Sequence, residues 1–457
     1  MKRSKKLCIL LGILIAVCLA ALAAMLSEEK KEEIKTSGET VLSVESAKVT
    51  ALCWEQDGTT WSFRCGDDGW RYDDDAEFPV SDSAMDALLE PFRSLSAAFT
   101  IENAEDLGRY GLDAPTCTIT LTTDDKTYTV KLGDYSTMDS QRYMDIGDGN
   151  VYLAASDPLD AYDVELKDLI ANDDVPYFDE VSQIRFAGSE DYSVIYDEDG
   201  KSICADDVYF TADGKPLDTS RVNSYISVLR YLELTDYVTY KVTDEELSAY
   251  GLDDPELSVS VDYTDDGTSD TFVLHISRDP AEKKAAADAE DEEASDITAY
   301  ARVGNSKIIY QISGSSYRSL MAAGYNDLRH QEIFSGDFDD VTGIDITLDG
   351  ETYTLTSQKD GKERTWLCEE AEIEIGDLQD ALEALTAEGF TSEKAAGQQE
   401  ISLTLYLDHE DELELTIALY RCDGSKCLAV VDGKSVAYVP RGEMVTLAEA
   451  VRAIALN

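Results

Sequence analysis

The chain has 457 residues, 43% of them hydrophobic, which is enough for several packed domains and argues against wholesale disorder. Against 38 Lys and Arg stand 94 Asp and Glu, a formal net charge of -56. Nucleic-acid affinity rests on basic side chains neutralising phosphates, so this balance excludes a nucleic-acid partner and favours cations or basic proteins.

Lys2, Arg3, Lys5 and Lys6 precede an apolar run from Leu7 to Leu26. About twenty residues at ~1.5 Å each would span a bilayer core of about 30 Å. The basic flank predicts an N-terminus held in the cytoplasm, residues 1–6, and a transmembrane helix over 7–26. The rest of the chain is then extracytoplasmic at the cell membrane. Ala21-Leu22-Ala23 is the competing signal, that of a cleavable leader. Residues 27–40 form a charged stalk.

Beyond the stalk, Asp-Gly dipeptides recur at Asp57-Gly58, Asp68-Gly69, Asp199-Gly200, Asp349-Gly350 and elsewhere, each a cue for a tight hairpin. A two-residue turn at Asp57-Gly58 sets Trp54 opposite Trp61 and Leu52 opposite Phe63. The turn at Asp349-Gly350 sets Ile346 opposite Tyr353 and Ile344 opposite Leu355. Amphipathic helical stripes follow: Met85, Leu88, Leu89, Phe92, Leu95, with Pro91 as a kink; then Val222, Tyr225, Ile226, Leu229, Leu232; then Leu378, Ala381, Leu382, Leu385. Alternating hairpins come next, as in Cys117, Ile119, Leu121 answered by Tyr128, Val130, Leu132. Period-two alternation means one buried and one wet face.

Two stretches repeat 140 residues apart: Tyr110-Gly111-Leu112-Asp113-Ala114-Pro115 and Tyr250-Gly251-Leu252-Asp253-Asp254-Pro255. A glycine in the left-handed conformation ends a short helix, the leucine supplies the apolar contact, and proline forbids a return to helix. A second reading makes Tyr110 with Asp113, and Tyr250 with Asp253, paired ligand sites. The structural reading is preferred because each residue already has a conformational role. The resulting fold class is α+β: an N-terminal transmembrane helix, then three tandem repeat units of antiparallel β-hairpins with one main amphipathic helix each. The units are 41–178, 179–334 (with an acidic insertion about 281–296, expected to be mobile) and a divergent 335–457 that lacks the corner.

Chemistry-bearing patterns are sparse. The three histidines, His275, His330 and His409, stand in no metal or nucleophile motif, and no phosphate-binding glycine loop occurs. Nine cysteines show no zinc spacing. Cys422 and Cys427 flank a short loop and are read either as a cross-strand disulfide or as two small apolar residues. No catalytic, cofactor-binding or metal-ligating residues are therefore assigned, and no cofactor is expected.

The two corners, the hairpins after them, and the closing strands around Tyr143…Tyr152 and Tyr300…Tyr310 resemble the bacterial family called domain of unknown function 4340. The Asp-Leu pairs at Asp168-Leu169 and Asp327-Leu328 resemble that family's tail. The resemblance implies a membrane-anchored extracytoplasmic protein with no assigned activity, whose genes often accompany transporter permeases resembling those of gliding-motility systems. The functional expectation is a non-catalytic binding or scaffold protein, an accessory of an ABC-type transport or gliding-motility-like complex, with a protein or envelope component such as a permease as partner. The alternative is an extracytoplasmic carboxylate-based hydrolase acting on envelope glycans.

Overall fold

The computed structural model describes residues 38–102, 104–287, 297–360, 363–409 and 413–455. Strands take 43% of it and helices 22%. The strands lie in three nine-stranded antiparallel sheets.

One strand order recurs in all three. In the first sheet the opening strand Val49–Gln56 is followed outward on one side by Thr59–Gly66 and Gly69–Tyr72. On its other side lies the return strand Cys117–Thr123, then Thr127–Ser136, Gln141–Asp145 and Val151–Ala154. In the second sheet the opening strand is Glu180–Gly188, flanked by Tyr192–Tyr196 and Tyr209–Thr211. Its return strand is Leu257–Asp265, followed by Thr268–Arg278, Ala299–Val303 and Ile309–Ile312. In the third, Val341–Leu348 is flanked by Glu351–Asp360 and Glu363–Cys368, and by the return strand Gln399–Leu407, Glu414–Arg421, Lys426–Val431 and Lys434–Pro440.

The pairing of opening with return strand is equivalent residue by residue. Leu52 opposes Leu121 and Trp54 opposes Ile119; Ile184 opposes Val261 and Phe186 opposes Val259; Ile344 opposes Leu405 and Ile346 opposes Leu403. Each opening strand carries an irregularity in register within its first four residues, between Val49 and Ala51, Val181 and Gln183, and Val341 and Gly343. A bulge bends a strand and raises its twist, and its recurrence at one place marks it as part of the design.

Each sheet carries one helix between its outer hairpin strands and its return strand: Asp82–Arg93, Thr219–Arg230 and Gly376–Glu383. Ser81 and Asp218 cap the first two, accepting from backbone N–H groups one turn in. The apolar stripes Met85, Leu88, Leu89, Phe92 and Val222, Tyr225, Ile226, Leu229 are buried, as are Leu378, Ala381 and Leu382. They cover the face presented by the alternating strand residues, such as Leu52, Ile119, Leu121, Val130 and Leu132. At roughly 1.5–3 kcal/mol for each large side chain taken from water, this layer is the principal stabilising term.

The α+β expectation is corrected to a mostly β protein. The helices that carry the stripes are only 12, 12 and 8 residues long, set against nine strands in each sheet. The hairpins are not separate elements either, because opening and return strands pair and fuse them into one sheet. Among the described residues no helix is long and apolar enough to cross a membrane. The apolar run Leu7–Leu26 lies outside the described residues. The insertion begins as a helix, Pro280–Ala287, and residues 288–296 also lie outside the description.

By backbone contacts the chain forms two compact units. One comprises residues up to Asp173 with Thr235–Val242; the other comprises Asp174–Leu234 with Thr243–Asn457 and so holds the third sheet together with most of the second. In that second unit Ile203, from a loop of the second sheet, packs on the core of the third.

Candidate functional site

Both corners adopt the same backbone. The 3-10 turns Leu107–Tyr110 and Leu247–Tyr250 end on Gly111 and Gly251, each at φ 69°. Leu112 and Leu252 are buried, and their N–H groups donate to the carbonyls of Leu107 and Leu247, both at 3.0 Å. Tyr110 packs at a tilt against Tyr143 and Tyr250 meets Tyr300 edge-on, with ring centroids 4.9 and 5.1 Å apart. A Cβ on Gly111 would lie 2.8 Å from the backbone nitrogen of Asp134, and one on Gly251 2.7 Å from Ser277 Oγ. Asp113 and Asp253 are exposed, and Pro115 and Pro255 half-exposed, just before the return strands. The corners therefore position strands and do not gather ligand groups. Gly111→Ala should cost about 2 kcal/mol, from the left-handed backbone and the close approach of Asp134. Chemical denaturation of the full chain measures it.

Directly after the second corner stands Glu256, whose side chain is only 12% exposed. Its Oε2 accepts from Arg278 N at 2.9 Å and from the Tyr317 hydroxyl at 2.8 Å, and Lys283 Nζ lies 2.9 Å from Oε1. Burial alone would raise its pKa, but these donors outweigh burial and hold the carboxyl below its ordinary value. Burial and Glu256 together push the Tyr317 hydroxyl up to about 12. Glu400 fills the equivalent place at the start of the third return strand, facing Arg441 at 3.4 Å, Arg421 at 3.9 Å and the Cys427 thiol at 3.7 Å. Arg421 ends the strand after the return strand, as Arg278 does in the second sheet. These carboxylates pin strand ends together, and sequence reading missed both because no local pattern distinguishes them from the many exposed acids.

The densest assembly of reactive groups lies in the second unit, where a cleft of about 350 Å³ opens between loop 197–208, the start of helix Thr219–Arg230, and the segment that follows His330. Its walls include Cys204, Asp207, Asp218, His330, Glu332 and Glu383. Asp207 is buried, with 1% of its side chain exposed. Both its oxygens lie 2.9 Å from His330 Nε2, and Ser202 Oγ donates to Oδ2 at 2.6 Å. Ser202 Oγ in turn accepts from Cys204 N at 3.2 Å, and the N–H of Asp207 donates to the Cys204 carbonyl, also at 3.2 Å. Asp218 caps the helix, accepting from Ser220 N and Arg221 N.

The imidazole is thus clamped from both sides. Nε2 faces Asp207, while Nδ1 lies 3.8 Å from Glu332. Burial by itself disfavours the imidazolium, but Asp207, Asp218 and Glu332 outweigh it and raise the His330 pKa above its ordinary value. Burial, with Asp207 adding to it, pushes the Cys204 thiol up against the opposing backbone N–H of Asp206. Cys204, Asp207 and His330 bring one donor atom each within 4.8 Å of one another, and Asp218, His330 and Glu332 do the same. His330 was legible as a histidine near a unit boundary, but its partner Asp207 lies 123 residues earlier in the chain.

The other expectations resolve simply. His275 sits on a strand with Nδ1 2.8 Å from Ser258 Oγ, and burial lowers its pKa. Cys422 and Cys427 are both free thiols, and the residue facing Cys427 across the hairpin is Arg421.

Three copies of one sheet design, joined in tandem, make this a β-sheet repeat protein. The family described as Domain of unknown function (DUF4340) matches it twice, over residues 70–255 and 209–401, which together cover more than half of the sequence. The chain belongs to that family. Both matches begin in the second strand outward from an opening strand and run to the start of the next sheet's return strand. No match was found among curated proteins or among solved structures.

Proposed function

We propose that the chain is a non-catalytic, membrane-tethered, extracytoplasmic binding or scaffold protein, an accessory to a transport complex of the ABC or gliding-motility kind. The observation that carries this reading is the tandem repetition of one sheet with one helix-covered face, and in the first sheet an opposite face of polar residues. In the first sheet Thr118, Thr120 and Thr122 alternate with the buried Cys117, Ile119 and Leu121. Such repetition supplies extended recognition surface. The short end strand Ala371–Ile373 offers backbone groups for strand addition.

A net charge of -56 favours a basic partner and makes the association salt-sensitive. The basic flank and the apolar run Leu7–Leu26 would confine the encounter to the membrane surface. Cross-linking in native membranes, followed by mass spectrometry, should recover a permease or another envelope protein. Raising the salt from low to about 0.5 M should weaken that association by on the order of tenfold. Turnover of a glycan by the purified chain, abolished by one carboxylate-to-amide change, would overturn the proposal.

A further inference from the structure

We propose that Cys204, Asp207 and His330 form a binding site for a zinc-like divalent transition-metal ion. The inference is independent of the binding-protein reading above. Its first support is the donor set. Thiolate, imidazole and carboxylate are the ligands that borderline-soft ions such as zinc select, and three protein ligands leave a fourth position for water. All three residues line the cleft, which gives that water a route in.

The second support is geometry. Two ligands about 2.0 Å from a common ion, at angles between 90° and 110°, stand about 2.8–3.3 Å apart. His330 Nε2 and the Asp207 oxygens are 2.9 Å apart, so an ion can replace the proton between them with little movement. Cys204 Sγ lies within 4.8 Å of both and closes on the ion by side-chain rotation, for it sits in a loop and not in a strand.

The third support is the surroundings of the imidazole. Metal-binding histidines donate their other ring N–H to a carboxylate, which fixes the tautomer and the ring plane. Glu332, 3.8 Å from Nδ1, and Asp218 beside it stand where that acceptor is needed. Ser202 likewise holds the second oxygen of Asp207.

Binding balances simply. The ion takes the places of the thiol proton of Cys204 and the Nε2 proton of His330. A neutral imidazole keeps one proton by moving it to Nδ1, so one proton leaves to solvent, and two leave when the ring starts charged. Thiolate and carboxylate then neutralise the two positive charges of the ion.

The test is a titration of the full chain with Co²⁺ in excess Mg²⁺, which occupies the surface carboxylates. One equivalent should produce the visible bands of four-coordinate cobalt and a thiolate-to-cobalt charge-transfer band, both removed by Zn²⁺. Cys204→Ser should abolish the charge-transfer band. Glu332→Gln should retain that band with about tenfold weaker affinity, because it loosens the ring without removing a ligand. Cys204→Ser is nearly isosteric, and its circular dichroism spectrum checks folding. Absence of the four-coordinate spectrum in the unmodified chain, or an unchanged charge-transfer band in Cys204→Ser, would overturn the site.

Discussion

Replacing Trp54 by alanine should destabilise the first compact unit by about 3–5 kcal/mol, the range for truncating a large buried aromatic. Trp54 is 1% exposed at the centre of the opening strand. It stacks on Phe63 with centroids 5.5 Å apart and meets the edge of Tyr162 at 5.4 Å. Tyr162 in turn packs against Phe92 of the helix and donates its hydroxyl to the carbonyl of Leu88 at 2.9 Å. The indole therefore joins opening strand, hairpin partner and helix layer, and no neighbour can fill its space without leaving its own contacts. Urea denaturation followed by far-UV circular dichroism measures the loss, and a cost below about 1 kcal/mol would contradict this packing.

Glu256→Gln should cost the second unit about 2–3 kcal/mol near neutral pH, because Lys283 loses its partner and the buried acceptor loses its charge. The pH dependence has a definite sign. A carboxyl whose folded pKa lies below its unfolded value contributes stability that is present above the unfolded pKa and lost as pH falls through the folded one. The Glu256 contribution thus fades below about 4.5, its ordinary value. The variant should show a shallower loss of stability with acid in that window. Parallel curves for both proteins would show that Glu256 is not the group responsible.

Much of the sheet structure was legible in the sequence. Two-residue Asp-Gly turns set the register on either side, and Trp54 faces Trp61 as Ile346 faces Tyr353. Alternation identified the buried faces. What alternation does not contain is the identity of the neighbouring strand. Hence the pairing of Val49–Gln56 with Cys117–Thr123 is not visible in the alternation, which suggests separate hairpins of an α+β unit instead. The third sheet lacks the glycine corner yet keeps the strand order, since the paired apolar positions Ile344 and Leu405 carry it. The reactive groups were the least legible. Glu256 and Glu400 resemble any other acid in a chain this acidic, and Asp207 meets His330 only after the fold brings distant loops together.

The two family matches fall out of phase with the sheets, and this limits where the chain can be divided. A fragment covering 70–255 would keep Glu180–Gly188 but discard Leu257–Asp265, and would keep Cys117–Thr123 without Val49–Gln56. A fragment covering 209–401 would likewise separate Val341–Leu348 from nearly all of Gln399–Leu407 and Leu257–Asp265 from Glu180–Gly188. Either cut leaves two raw sheet margins lined with apolar side chains, ready to pair with other molecules. The stretch the family model matches and a piece with closed sheets are therefore different parts of this polypeptide, and no expression boundary should part an opening strand from its return strand.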